Sequence, residues 1–267
     1  MDSSSVAEFP ARVRRVELRC SDVEASADFY RRLLGLEPGS LGSERGELGV
    51  PGATGPLLVL RRAERPGRAP GRAAGLFHTA FRYPDRAGLA GAIDRVAGEF
   101  ESRLTGASDH GVSEAIYLDD PDGLGVEVYR DRPPAEWPPP AAGERIRMFT
   151  RPLDVEDVLR AGDGASAAAA RGLDIGHVHL KVADLEAGIA FWTGQVGMEL
   201  TTRVGSDAAF LSHDGYHHHI GVNSWLSRGA EPEPAAGPGL DAIALRGEAP
   251  AAPVASPDGV RILRVER

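Results

Sequence analysis

The stretch Val16-Glu17-Leu18-Arg19-Cys20-Ser21-Asp22-Val23-Glu24-Ala25 returns 162 residues later as Val178-His179-Leu180-Lys181-Val182-Ala183-Asp184-Leu185-Glu186-Ala187. The register persists through Phe29/Phe191, Tyr30/Trp192, Gly35/Gly197 and Glu37/Glu199, so the chain contains an internal repeat. Each copy reads as an alternating strand, an aspartate N-cap and an amphipathic helix closed by glycine. Short strands follow, near 48–50 and 57–60 in one copy and near 200–204, 208–212 and 217–222 in the other. The unit is βαβββ.

A weaker repeat relates Gly75-Leu76-Phe77-His78 to Gly239-Leu240-Asp241-Ala242, and Pro121-Asp122-Gly123 to Pro257-Asp258-Gly259. Its earlier copy predicts a helix over 85–96 and strands near 103–105, 115–118 and 125–129. The later copy is short, and the Gly, Ala and Pro between Leu245 and Val260 predict strands without the helix. The fold class is therefore α+β, four βαβββ units in curved mixed sheets with the fourth unit shortened. Along the chain this gives an N-terminal domain at 1–132, a connector rich in Pro and Ala at 133–172, and a C-terminal domain at 173–267. Within the connector, Ala167 to Ala170 read as a helical turn or a disordered run.

The formal charge of −9 and pI near 5.4 argue against nucleic acid or an anionic membrane as partner. No apolar run approaches the roughly 20 residues of a membrane-spanning helix. Cys20, the single cysteine, has no intrachain disulfide partner and ends an alternating strand, which predicts a core residue. The start Met1-Asp2-Ser3-Ser4-Ser5 lacks a signal-peptide pattern, so a cytoplasmic location is expected. Exposed sheet edges would offer a route to a homo-oligomer.

Four such units, together with Asp109-His110-Gly111-Val112-Ser113-Glu114-Ala115-Ile116-Tyr117-Leu118, the 120–129 segment, the His177 to Val182 strand and Gly215-Tyr216-His217-His218-His219-Ile220-Gly221-Val222-Asn223, resemble the vicinal oxygen chelate superfamily. That superfamily includes glyoxalase I, bleomycin-resistance proteins and type I extradiol dioxygenases. The resemblance within it is to two-domain catechol 2,3-dioxygenase-like proteins. It implies a cytoplasmic oxidoreductase that opens a catechol ring with O2 at Fe(II), with Mn(II) as a second candidate.

The resemblance also implies metal ligands on first and last strands of paired units. Those positions hold Glu17, His78, His179 and Ala242, with Glu127 and Leu263 on last strands. Pairing unit one with two gives Glu17, His78 and Glu127, and pairing three with four leaves His179 alone. Pairing two with three gives His78, Glu127 and His179, two imidazoles and a carboxylate, the set that leaves three positions open on non-heme Fe(II). This is the expected metal site.

By the same resemblance His110 and Tyr117 bind a catecholate oxygen, and His219 is the acid-base residue. His217 and Asn223 are expected at the substrate, His218 in a structural or surface position, His177 near a strand edge and His213 solvated on a turn. A glyoxalase, epimerase or thiol transferase is the first rival reading, although no Glu stands near 221–223 to supply a second carboxylate. A metal-free binding protein of the bleomycin-resistance kind is the second.

Overall fold

The computed structural model describes residues 9–10, 12–141, 144–162, 171–247 and 252–265. Unit one contains β1 (Val13–Cys20), α1 (Val23–Leu34), β2 (Glu37–Leu41), β3 (Arg45–Gly49) and β4 (Leu58–Arg62). Unit two contains β5 (Gly75–Tyr83), α2 (Arg86–Arg95), β6 (Leu104–Asp109), β7 (Ser113–Asp119) and β8 (Gly125–Asp131). The connector carries β9 (Arg151–Pro152) and α3 (Val155–Arg160). Unit three follows with β10 (Asp174–Lys181), α4 (Leu185–Gly194), β11 (Glu199–Val204), β12 (Ala208–Ser212) and β13 (Ile220–Asn223). The described residues of unit four form β14 (Gly239–Arg246), β15 (Val254–Ala255) and β16 (Arg261–Val265), strands without a helix, as the composition predicts.

The helices begin where the repeat places them. Asp22, Asp85 and Asp184 are extended N-cap residues whose carboxylates accept first-turn amides, which would otherwise have no partner in the helix. Gly35 closes α1 at φ 75°, a left-handed conformation that glycine adopts without a Cβ clash. Val23, Ala27, Tyr30 and Leu34 share one face of α1 and pack onto the sheet, so burial of that apolar face holds the helix.

Sheet pairing crosses the chain order. Strands β5 and β10 run antiparallel, with His179 opposite His78, and each has its own last strand alongside it in parallel: β8 beside β5 and β13 beside β10. Units two and three thus form one curved sheet, ordered β11-β12-β13-β10-β5-β8-β7-β6-β9. Units one and four form the other, β2-β3-β4-β1-β14-β16-β15, and a single register of β1 with β10, Val13 opposite Ile175, joins them. The pairing of unit two with unit three is the one that the ligand positions required.

Three local expectations change. Strand β2 is wholly exposed and lacks the apolar alternation that marks a half-buried strand, so the sequence concealed it. Strand β13 starts at Ile220, which leaves His217 to His219 in the approach to the strand, where side chains need not alternate between faces. The connector is ordered enough to pair β9 with β6, while Ala167 to Ala170 lie outside the described residues. Cys20 is buried, as expected, and burial pushes its thiol up to about 12. Among the described residues no helix is long and apolar enough to cross a membrane.

Candidate metal centre

Strands β5, β8 and β10 bring His78, Glu127 and His177 together on one face of the sheet formed by units two and three. Their ligand-type atoms all lie within 4.8 Å of one another, and all three residues are buried. Glu127 Oε2 is 2.9 Å from His78 Nε2 and 3.0 Å from His177 Nε2. Two imidazoles therefore converge on one carboxylate oxygen.

Burial alone would raise the Glu127 pKa, but His177 and His78 outweigh it and hold the carboxyl well below its usual range. Burial pushes His177 down to about 4. The result is an ionised carboxylate beside a neutral His177, the protonation state in which these groups bind a metal. His78 Nε2 has no hydrogen-bond partner of good geometry despite its closeness to Glu127. A divalent cation among the three donors would satisfy it, so the residues fit a metal.

The expected third ligand, His179, lies outside this cluster. It stands on the same strand two residues on, and its Nε2 accepts a hydrogen bond from Asn223 Nδ2 at 3.0 Å. The repeat held the signal for His177. His78 precedes its N-cap aspartate by seven residues (78 to 85) and His177 precedes its own by seven (177 to 184), so these two are repeat mates. The equivalent of Glu17 is His179, and Glu17 lies elsewhere. It is buried among Arg15, Arg61 and Arg261 as an ion-pair centre of the other sheet.

A cavity of about 710 Å³ opens over the cluster and is lined by all three cluster residues, His110, Tyr117, His179 and His218. His110 follows β6, and its Nδ1–H donates to the Phe149 carbonyl at 2.9 Å, so its Nε2 accepts from the Tyr117 hydroxyl at 2.6 Å. Tyr117 faces Glu127 across the β7–β8 ladder, and burial together with that carboxylate keeps the phenol protonated. His110 and Tyr117 thus line the cavity beside the cluster. Residues 148–150 of the connector also line the cavity, a contribution that no local motif announced.

The histidine triplet is arranged otherwise than expected. All three residues are buried, and His218, expected in a structural or surface position, is the one that lines the cavity, its ring 4.1 Å from the ring of His177. His219 turns away: its Nδ1 accepts the His213 N–H at 3.2 Å and lies 3.1 Å from Ser212 Oγ. His217 and Asn223 sit behind the cavity residues, His217 between Asp131 and His218, and Asn223 against His179. His213 is half-buried on its turn.

Donor and acceptor roles run in one direction through this group. Asp131, which His217 and Arg82 hold below its usual range despite its burial, can only accept, so His217 donates from Nε2 at 2.8 Å. When His217 carries its single proton on Nε2, its Nδ1 is an acceptor, and the 2.7 Å contact then has His218 donating from Nδ1. The free lone pair of His218 is left on Nε2.

A family model described as "Glyoxalase/Bleomycin resistance protein/Dioxygenase superfamily" matches residues 12–128. A catechol-2,3-dioxygenase of Bacillus subtilis (strain 168) is 38% identical over 229 residues, covering 84% of this chain and 79% of that one. The chain belongs to the glyoxalase/bleomycin resistance/dioxygenase superfamily, and it is a homologue of catechol-2,3-dioxygenase. Among solved structures, glyoxalase I from Zea mays superposes with a TM-score of 0.55 at 14% identity, covering 96% of this chain and 92% of that one. A Bacillus subtilis protein provisionally described as a dioxygenase gives 0.59 at 16% identity, with 90% and 71% covered. At such identities the structures speak for the fold alone.

Proposed function

We propose that this protein is an extradiol dioxygenase that opens a catechol ring with O2, using Fe(II) held by His78, Glu127 and His177. The observation that carries the reading is the buried set of two imidazoles and one carboxylate at the floor of a cavity, in a homologue of catechol-2,3-dioxygenase. That donor set suits non-heme Fe(II) with three open positions, and Mn(II) is its closest substitute. Bound there, the metal supplies the Lewis acidity and redox chemistry by which O2 and a catechol become a ring-opened semialdehyde acid.

The chain's own groups do the rest. The Tyr117–His110 pair presents a hydroxyl and an imidazole edge beside the cluster, positioned to hold one catechol oxygen. His218 offers Nε2 as the acceptor of a catechol hydroxyl proton, taking over the acid-base role expected of His219. His217 and Asp131 keep that nitrogen free. The single carboxylate of the cluster also distinguishes the site from the two-carboxylate pattern of glyoxalases.

The direct test is anaerobic loading with Fe(II), addition of a catechol and air, and observation of the yellow product together with oxygen uptake. Ring opening in wild type, reduced at least 10²-fold in His218→Ala and Tyr117→Phe, supports the reading. Metal binding without oxygen uptake over a panel of catechols would refute it.

A further inference from the structure

The cavity continues well past the metal cluster. Its volume of about 710 Å³ lies in the range of pockets that enclose drug-sized ligands, far more than one six-membered ring fills. The extra space has a definite wall. His179, left out of the ligand set, is met edge-on by Phe77 at 5.1 Å, Phe210 at 5.7 Å and Trp225 at 5.7 Å between ring centroids. Phe77 also meets Trp225 at 5.6 Å. Trp225 is 48% exposed, so this aromatic surface runs from the buried cluster to solvent. The wall is built of aromatic rings and holds no carboxylate, Lys or Arg.

The charges that do line the cavity are negative. Among the described lining residues there is no Lys or Arg, while Glu127 sits at the floor and Asp119 at the rim, 3.5 Å from an exposed Arg68. The guanidinium of Arg151 lies 4.3 Å from the ring centroid of Phe149 and is itself exposed, so water screens it. A carboxylate on the substrate would lose its hydration without gaining a buried cation.

Resting on the extradiol reading of this site, we infer that the preferred substrate is a catechol bearing a neutral, apolar and preferably aromatic substituent. The substituent lies along Phe77, His179, Phe210 and Trp225, with Trp225 as the specificity-determining residue at the mouth. Edge-to-face contacts of this kind, added to the area buried, favour such a substituent over hydrogen.

Anaerobic calorimetry with 3-phenylcatechol, catechol and 3,4-dihydroxybenzoate tests this on the metal-loaded protein and on the metal-free protein. The expected order is 3-phenylcatechol about tenfold or more tighter than catechol, with 3,4-dihydroxybenzoate weakest. Trp225→Ala should bring the 3-phenylcatechol to catechol affinity ratio down toward one, and Trp225→Phe should restore most of it. Equal affinities, tighter binding of the carboxylated ligand, or a ratio indifferent to Trp225→Ala would overturn the inference. Preferential binding of 3-phenylcatechol with no ring opening of any catechol would uphold the substituent preference and remove the dioxygenase reading, so the two fail separately.

Discussion

His177 and His179 share a strand and a face, yet their surroundings give them different work. His177 meets Glu127 at 3.0 Å, whereas His179 meets an amide donor and three aromatic edges. Strand periodicity cannot separate two residues of equal parity. Counting back from the helix cap does, because the cap fixes how far along the strand each side chain lies. At the same scale, Asp131 controls His218 through His217. In Asp131→Asn, Arg82 retains the amide oxygen at the Oδ2 position, and the amide NH2 turns to His217. His217 must then accept at Nε2 and donate from Nδ1, which moves the His218 proton to Nε2. Nitrogen-15 correlation spectra of the metal-free protein should show the His218 proton on Nδ1 in wild type and on Nε2 in the variant, with kcat lower by about 10²-fold. A wild-type His218 protonated on Nε2 would contradict the assignment.

Strands and caps were legible because their physics is local. Asp22, Asp85 and Asp184 announce helices through the orphan amides that they satisfy, and Asp184→Ala should cost about 1 kcal/mol in a denaturant titration. What was not legible is close approach between elements. Gly176 on β10 sits where a Cβ would run into the Tyr129 hydroxyl, which is 2.7 Å from the hydroxyl of Tyr216. Gly176→Ala is expected to destabilise by roughly 1–3 kcal/mol through overpacking, read as a lower denaturation midpoint at unchanged slope. The histidine triplet misled for a related reason. Strand β13 begins one residue beyond it, so alternation does not govern which imidazole enters the cavity, and His218 rather than His219 does.

On the scale of the molecule, the four-unit repeat together with the ligand positions that the family resemblance implies predicted that unit two pairs with unit three, as the sheet order has it. The roof of the cavity was not predictable, since residues 148–150 of the connector reach it by a long-range path that leaves no periodic trace. The two sheets are also tied through Asp120, in the turn between β7 and β8, which receives the Tyr30 hydroxyl of α1 at 3.1 Å and the amides of Asp122 and Leu124. Burial raises this carboxyl to about 7, a pKa above that of the unfolded chain. The folded protein then holds a proton that the unfolded one has released. Stability from this group is therefore full below about pH 4 and declines as pH rises to about 7, by about 4 kcal/mol at most. Asp120→Asn keeps the amide acceptor and should flatten that part of the stability-pH curve; a wild-type curve that rises between pH 4 and 7 with the same slope in the variant would contradict it.

The metal centre is the claim on which the rest depends, and titration of the metal-free protein with Fe(II) under anaerobic conditions addresses it directly. Wild type should bind one Fe(II) per chain. His78→Ala, Glu127→Ala and His177→Ala should each lose that site, while His179→Ala should keep it. Loss of the metal in His179→Ala with retention in His177→Ala would contradict the account.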